Sequence, residues 1–248
     1  MRGHLNGNFK GYAFAEKVLN PQSMQQPATF DRFGMFTSRD ITLPLASLAY
    51  DAIDYFKLDI IQYLGADCRL DDLYCSWFNP QRASIKNVSG GWHDDNCGHR
   101  LKIFICIKGD GSTPTVILPE SNRRPYSFRS SEFIRFFGYA DQRSLPGEVF
   151  LRYKTGDIAM FDTNGLHRGL YEETASERVV LIAEFMNRQK SNKISGKAPC
   201  GPGSAPMGKV CFDADASKLI IKTGLIDTQL CRQVGGGFEY SLSHRCER

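Results

Sequence analysis

With 248 residues, 42% hydrophobic and 12% aromatic, the chain can bury a sizeable core, and an all-β fold of this length is often one domain. A charged fraction of 23% with a net charge of +4 argues against chain-wide disorder. The absence of any Lys/Arg block argues against a nucleic-acid arm. No stretch approaches membrane-spanning length and the N-terminus lacks the apolar run of a signal peptide, so we expect a soluble, cytoplasmic protein without a membrane partner.

Residues 1 to about 40 are rich in Gly, Gln and Phe and show no clear period. From Leu43 the pattern changes: Leu45, Leu48, Ala49, Ala52, Tyr55, Phe56, Ile60 and Tyr63 recur at three and four residues, which predicts an amphipathic helix ended near Gly65. Strand-like segments follow at 73–80, 99–108, 113–119, 148–154, 157–163 and 177–187, each rich in β-branched and aromatic residues and bounded by turn formers. Residues 130–140 interrupt the series as a short helix or lid. Beyond Met186 the composition shifts to Lys, Ser, Gly and Pro, with 197–209 reading as loop or linker. Six or more short strands behind one helix suggest a sandwich or barrel. The long insertions between them favour a jelly roll over a meander, so the expected class is mainly β with flanking helices. The eight cysteines form no C-x-x-C pair and read as thiols of core and loops.

Chemistry concentrates in Trp92-His93-Asp94-Asp95. On a strand, residues i and i+2 share a face, so His93 and Asp95 can aim at one point while Asp94 turns away. An imidazole and a carboxylate so placed are two of the three ligands of a 2-His-1-carboxylate triad, which holds Fe(II) with positions left open. The third ligand should come from a distant strand. His4 and His244 lie near the termini, and His99 belongs to the strand or turn that carries the pair, which leaves His167, after an apolar strand and a small loop. Eleven residues further on, Arg178 opens the apolar strand Val179-Val180-Leu181-Ile182. A guanidinium there calls for an anion, either Glu177 or Glu184 in an ion pair, or the far carboxylate of a keto diacid whose other end chelates the metal.

Together these residues resemble the phytanoyl-CoA dioxygenase-like branch of the Fe(II)/2-oxoglutarate-dependent oxygenases. The resemblance rests on Trp-His-Asp-Asp (92–95), the strand Arg-Leu-Lys-Ile-Phe-Ile (100–105) and Thr-Pro-Thr-Val-Ile-Leu-Pro-Glu-Ser-Asn (113–122). It rests further on Gly-Asp-Ile-Ala-Met-Phe (156–161), His-Arg-Gly (167–169) and Arg178. It spans residues 70–187 and, more loosely, the helix at 43–64. It implies a cupin-like double-stranded β-helix and an iron site of His93, Asp95 and His167, with Arg178 as the clamp for 2-oxoglutarate. O2 would be the second cosubstrate, succinate and CO2 the products, and a C–H bond of a small metabolite the target. On this reading residues 1–190 form one oxygenase domain, and 191–248 form a loop-rich extension packing on it or trailing it.

The sequence departs from the family pattern at three places. Glu120 and Asn122 stand where the family has the Gly and His of a Pro-Gly-Ser-His turn. Gly169 stands where some members place a hydroxyl that holds the cosubstrate, leaving Arg100 or Thr115 as candidate replacements. Asp95 is a carboxylate rather than the small residue of halogenating relatives, which favours oxygen transfer over chlorination. The competing class is a jelly-roll binding module that keeps a metal without redox chemistry.

Overall fold

The apolar run from Leu43 forms α1 (Leu43–Leu64) in the computed structural model, which ends on Gly65 as its spacing predicts. The structure describes residues 9–21, 29–83, 91–95, 100–123, 143–170, 174–187, 210–226, 231–234 and 237–240; the segments 130–140 and 197–209 lie outside them. Thr42 makes no side-chain cap at the helix start. Instead, the Leu43 N–H donates to Asp213 Oδ2 at 3.0 Å, so a residue far along the chain satisfies one of the orphan amides of the first turn.

Strands β1 (Tyr12–Ala15), β2 (Met35–Ser38) and β3 (Asp40–Ile41) precede α1. Then come β4 (Arg69–Phe78), β5 (Arg100–Lys108), β6 (Thr115–Ile117), β7 (Val149–Leu151), β8 (Ile158–Asp162), β9 (His167–Gly169) and β10 (Arg178–Met186). All six expected strand segments therefore contain strands; five are trimmed at their ends, and β4 starts four residues earlier than expected. β1 to β3 were not anticipated, because two to four residues are too few to display alternation.

A six-stranded antiparallel sheet runs β1-β8-β5-β10-β4-β2, and a three-stranded sheet runs β7-β6-β9. This pair of sheets, with α1 on the outside, is the double-stranded β-helix. The large sheet is covered on both faces. Leu101, Ile103 and Ile105 of β5 and Leu181, Ala183 and Phe185 of β10 join Ala49, Ile53, Phe56 and Ile60 of α1 in one buried core. The alternate residues turn inward, where Cys106, Ala159 and Phe161 meet Ile117, Leu151 and Tyr153. Trp77 belongs to the outer core and packs edge-on against Phe36 at 5.4 Å, so it does not line the interior.

The Thr155-Gly156-Asp157 turn forms as expected. Gly156 has φ +91°, and a Cβ there would lie 2.4 Å from the Leu19 carbonyl oxygen, so only glycine fits. Past residue 209 the chain forms β11 (Val210–Asp213), α2 (Ala214–Lys222), β12 (Cys231–Val234) and β13 (Gly237–Tyr240). β11 lies parallel to β3, and Ala216 and Ile220 of α2 enter the outer core beside α1. Among the described residues no helix is long and apolar enough to cross a membrane.

Candidate metal centre

The segment carrying His93 runs antiparallel to β9, and the two histidines are direct partners. His93 N donates to His167 O at 2.9 Å and His167 N donates to His93 O at 2.8 Å. Opposite residues of such a pair share a face, and their rings stand 4.4 Å apart, centroid to centroid. Asp95 is fixed by its own N–H, which donates to Thr163 O at 2.9 Å in the loop that leads to His167.

Each imidazole is oriented in the same way. His93 Nδ1 lies 2.7 Å from Gly91 O, and His167 Nδ1 lies 2.9 Å from Gly165 O, in both cases the carbonyl two residues upstream. A carbonyl only accepts, so both Nδ1 atoms carry protons and both Nε2 atoms present lone pairs. Those Nε2 atoms face Asp95 Oδ1, at 3.9 Å from His93 and 3.6 Å from His167. The three candidate ligand atoms lie within 4.8 Å of one another. Two neutral nitrogen donors and one carboxylate around a common point suit a divalent first-row metal such as Fe(II). Asp94 is buried but is not part of this cluster, and His99 lies outside the described residues.

For His93, electrostatics supports the neutral form. Burial, and then the neighbouring His167, push the His93 pKa down to about 4 against the pull of Asp95. Asp95 is held well below the usual carboxylate range: burial works the other way, but Lys102 and the two histidines outweigh it. A stability consequence follows for the metal-free protein. His93 has an ordinary value of 6.5 and a folded value near 4, so its contribution is complete above the unfolded value and is lost as pH falls towards the folded one. The expected slope is about 1.4 kcal/mol per pH unit within that window. Thermal melts of chelator-treated protein should show it, and His93→Gln, which does not titrate, should flatten it. Equal slopes for both proteins would refute the assignment.

Arg178 opens β10, and the two carboxylates weighed as its ion-pair partners have other cations. Glu177 receives Lys108 at 2.8 Å, and Glu184 receives Arg100 and Lys102 at 2.5 and 3.1 Å. Neither carboxylate is paired with Arg178. Its Nη1 donates to Thr113 O at 2.6 Å, its Nε is buried without a partner, and burial lowers its pKa. The guanidinium carbon lies 5.8 Å from the centre of the Tyr153 ring, whose hydroxyl is also buried without a hydrogen-bond partner. Thr115 neighbours that phenol. A file of rings links this corner to the metal centre: His167 to Phe161 at 5.6 Å, Phe161 to Phe104 at 5.0 Å, and Phe104 to Tyr153 at 5.9 Å. The cluster and Arg178 therefore border one interior.

Arg100 does not share that corner. Its side chain is 2% exposed and reaches Asp71 at 2.6 Å and Glu184 at 2.5 Å, so two carboxylates already engage it. Arg100, expected as a candidate cosubstrate contact, is thus engaged elsewhere; the residue beside Arg178 is Tyr153, which no local sequence pattern marks because it stands alone beyond a short strand.

The turn at 118–122 supports the His167 loop. Glu120 adopts φ +64°, the left-handed conformation that suits the glycine it replaces. Ser121 Oγ accepts from Leu166 N at 2.7 Å. Asn122 Nδ2 donates to Tyr63 Oη at 2.9 Å, and Tyr63 donates to Asp162 at 2.5 Å. On the other flank Trp92 donates to Arg143 O at 2.7 Å and stacks under the Arg168 guanidinium at 5.0 Å, which marks it as packing.

Fold and cluster together define a jelly roll with a two-histidine, one-carboxylate site. No protein-family model matches the sequence, and no curated protein matches it. Solved structures do. HygX from Streptomyces hygroscopicus, crystallised with nickel, 2-oxoglutarate and hygromycin B bound, is 12% identical with a TM-score of 0.49, over 72% of this chain and 83% of that one. SnoK, a non-heme alpha-ketoglutarate-dependent carbocyclase from nogalamycin biosynthesis, is 14% identical with a TM-score of 0.42, over 58% of each chain. EvdMO1 is 19% identical with a TM-score of 0.39, over 52% of this chain and 29% of that one. This chain thus spans under a third of EvdMO1. At these similarities the site has to be read from this chain's own residues.

Proposed function

We propose that the protein is an Fe(II)- and 2-oxoglutarate-dependent dioxygenase of the phytanoyl-CoA dioxygenase-like kind, acting on a C–H bond of a small metabolite. The observation that carries this reading is the convergence of two Nε2 lone pairs and Asp95 Oδ1, with both Nδ1 protons tied to backbone carbonyls. Iron(II) held by His93, Asp95 and His167 supplies the redox chemistry that couples oxidative decarboxylation of 2-oxoglutarate to substrate oxidation by O2.

The chain's own residues do the rest. Arg178 offers a buried cationic donor at the far end of the ring file, and Tyr153 and Thr115 add hydroxyls beside it. A five-carbon diacid bound at one end to the metal suits that corner with its other carboxylate. Phe104 and Phe161 pack between the two ends, and apolar surroundings of this kind would strengthen both charged contacts. Asp95 fills the position that a halide would need, which favours oxygen transfer.

The test is succinate and CO2 formation from 2-oxoglutarate with Fe(II), ascorbate and O2, screened for stimulation by small metabolites. O2-dependent succinate is the expected result. A protein that forms no succinate and binds no 2-oxoglutarate when metal-loaded is instead a jelly-roll binding module.

A further inference from the structure

The Asp95 carboxylate is shared between two tasks. Oδ1 faces the histidine Nε2 atoms, while Oδ2 lies 2.7 Å from Lys102 Nζ. Lys102 is on β5, two residues from Arg100 and so on the same face of the strand. Its ammonium also reaches Glu184 Oε1 at 3.1 Å, and Glu184 in turn accepts from Tyr74 at 2.9 Å and from Arg100 at 2.5 Å. Arg100 continues to Asp71 at 2.6 Å. Side chains of Asp71, Arg100 and Glu184 are each 2% exposed, so Lys102 is gripped by a buried network and has little freedom to swing away.

A cation this close to a divalent metal is unexpected on grounds of affinity alone, because like charges repel. A carboxylate can bind a metal through one oxygen or through both. A cation held against the second oxygen disfavours the two-oxygen mode, because that oxygen is already engaged and a metal moving onto it would approach the like charge. We propose that Lys102 is a positioning residue that holds Asp95 to one-oxygen coordination and so keeps a metal position open for the cosubstrate, at some cost in metal affinity. This inference rests on the metal-centre reading above.

Two measurements of opposite sign test it. In Lys102→Met the repulsion is gone and both oxygens of Asp95 are released. Co(II) affinity, measured by competition with a chromophoric chelator, should become about tenfold tighter, because relief of the like-charge repulsion outweighs the loss of an orienting contact. Binding of 2-oxoglutarate to the Co(II)-loaded protein should weaken by about tenfold or more. The visible Co(II) band should lose intensity as the coordination number rises. Lys102→Arg, which keeps the charge and the donor, should restore the parent values. Should the methionine variant not fold, Lys102→Gln, neutral and polar, is read by the same two constants. A purely structural lysine gives a different outcome: metal and 2-oxoglutarate affinity fall together, or neither changes, and either result overturns the proposal. Failure of the underlying reading is distinguishable, because the parent protein itself would then bind no Co(II) at His93 and His167.

Discussion

Replacing His167 by alanine should remove metal binding and, with it, 2-oxoglutarate turnover. Among the described residues His167 would supply one of the two nitrogen donors; its Nε2 is 3.6 Å from Asp95 Oδ1, and its ring is held by Gly165 O and packed on Phe161. Loss of a group that merely orients a ligand costs about 10- to 100-fold in metal affinity or activity, so loss of a ligand should cost at least the upper end of that range. The fold should survive, because the paired bonds between His93 and His167 are made by backbone atoms that alanine retains. Metal content after dialysis, Co(II) titration and succinate yield should fall together while the far-ultraviolet dichroism stays that of the parent. An alanine variant that still holds stoichiometric metal would remove His167 from the site.

Arg178→Ala should have a different signature. The metal affinity should not move, because Arg178 touches none of the three ligands. The KM for 2-oxoglutarate should rise by about 30-fold or more, the effect of truncating one partner of a buried, hydrogen-bonded charge pair. Arg178 is partly buried and cationic, its enclosed Nε has no partner, and the adjacent Glu177 is already taken by Lys108. Arg178→Lys should recover only part of the loss, since a point charge lacks the two-pronged geometry of the guanidinium. Full activity at parent concentrations of 2-oxoglutarate in the alanine variant would place the clamp elsewhere. The two variants together separate metal loading from cosubstrate binding.

Much of the frame was legible because it repeats. α1 is long enough for its 3.6-residue period to show, and β5 and β10 carry nine residues each of β-branched and aromatic character. His93, Asp95 and His167 were legible through strand alternation and by elimination among five histidines. What escaped detection depends on partners remote in sequence. Lys102 carries no local signal of its own: β5 is covered on both faces, and that charge points into a network built from β4 and β10. Tyr63, Asn122 and Asp162 come from a helix, a turn and a strand, and nothing in any one segment announces their meeting. β11 to β13 and α2 are short, and β11 finds its neighbour in the two-residue β3 about 170 positions earlier in the chain.

The mutual backbone pairing of His93 and His167 also bears on how the site tolerates change. Both imidazoles owe their shared face to one register between two segments, so that register works as a single alignment key for the whole centre. A one-residue insertion or deletion between Thr163 and Leu166 would reverse the parity of the second segment. His167 would then face away from Asp95, with Leu166 in its place after an insertion or Arg168 after a deletion. The length of that loop is therefore as much a part of the metal centre as the side chains themselves.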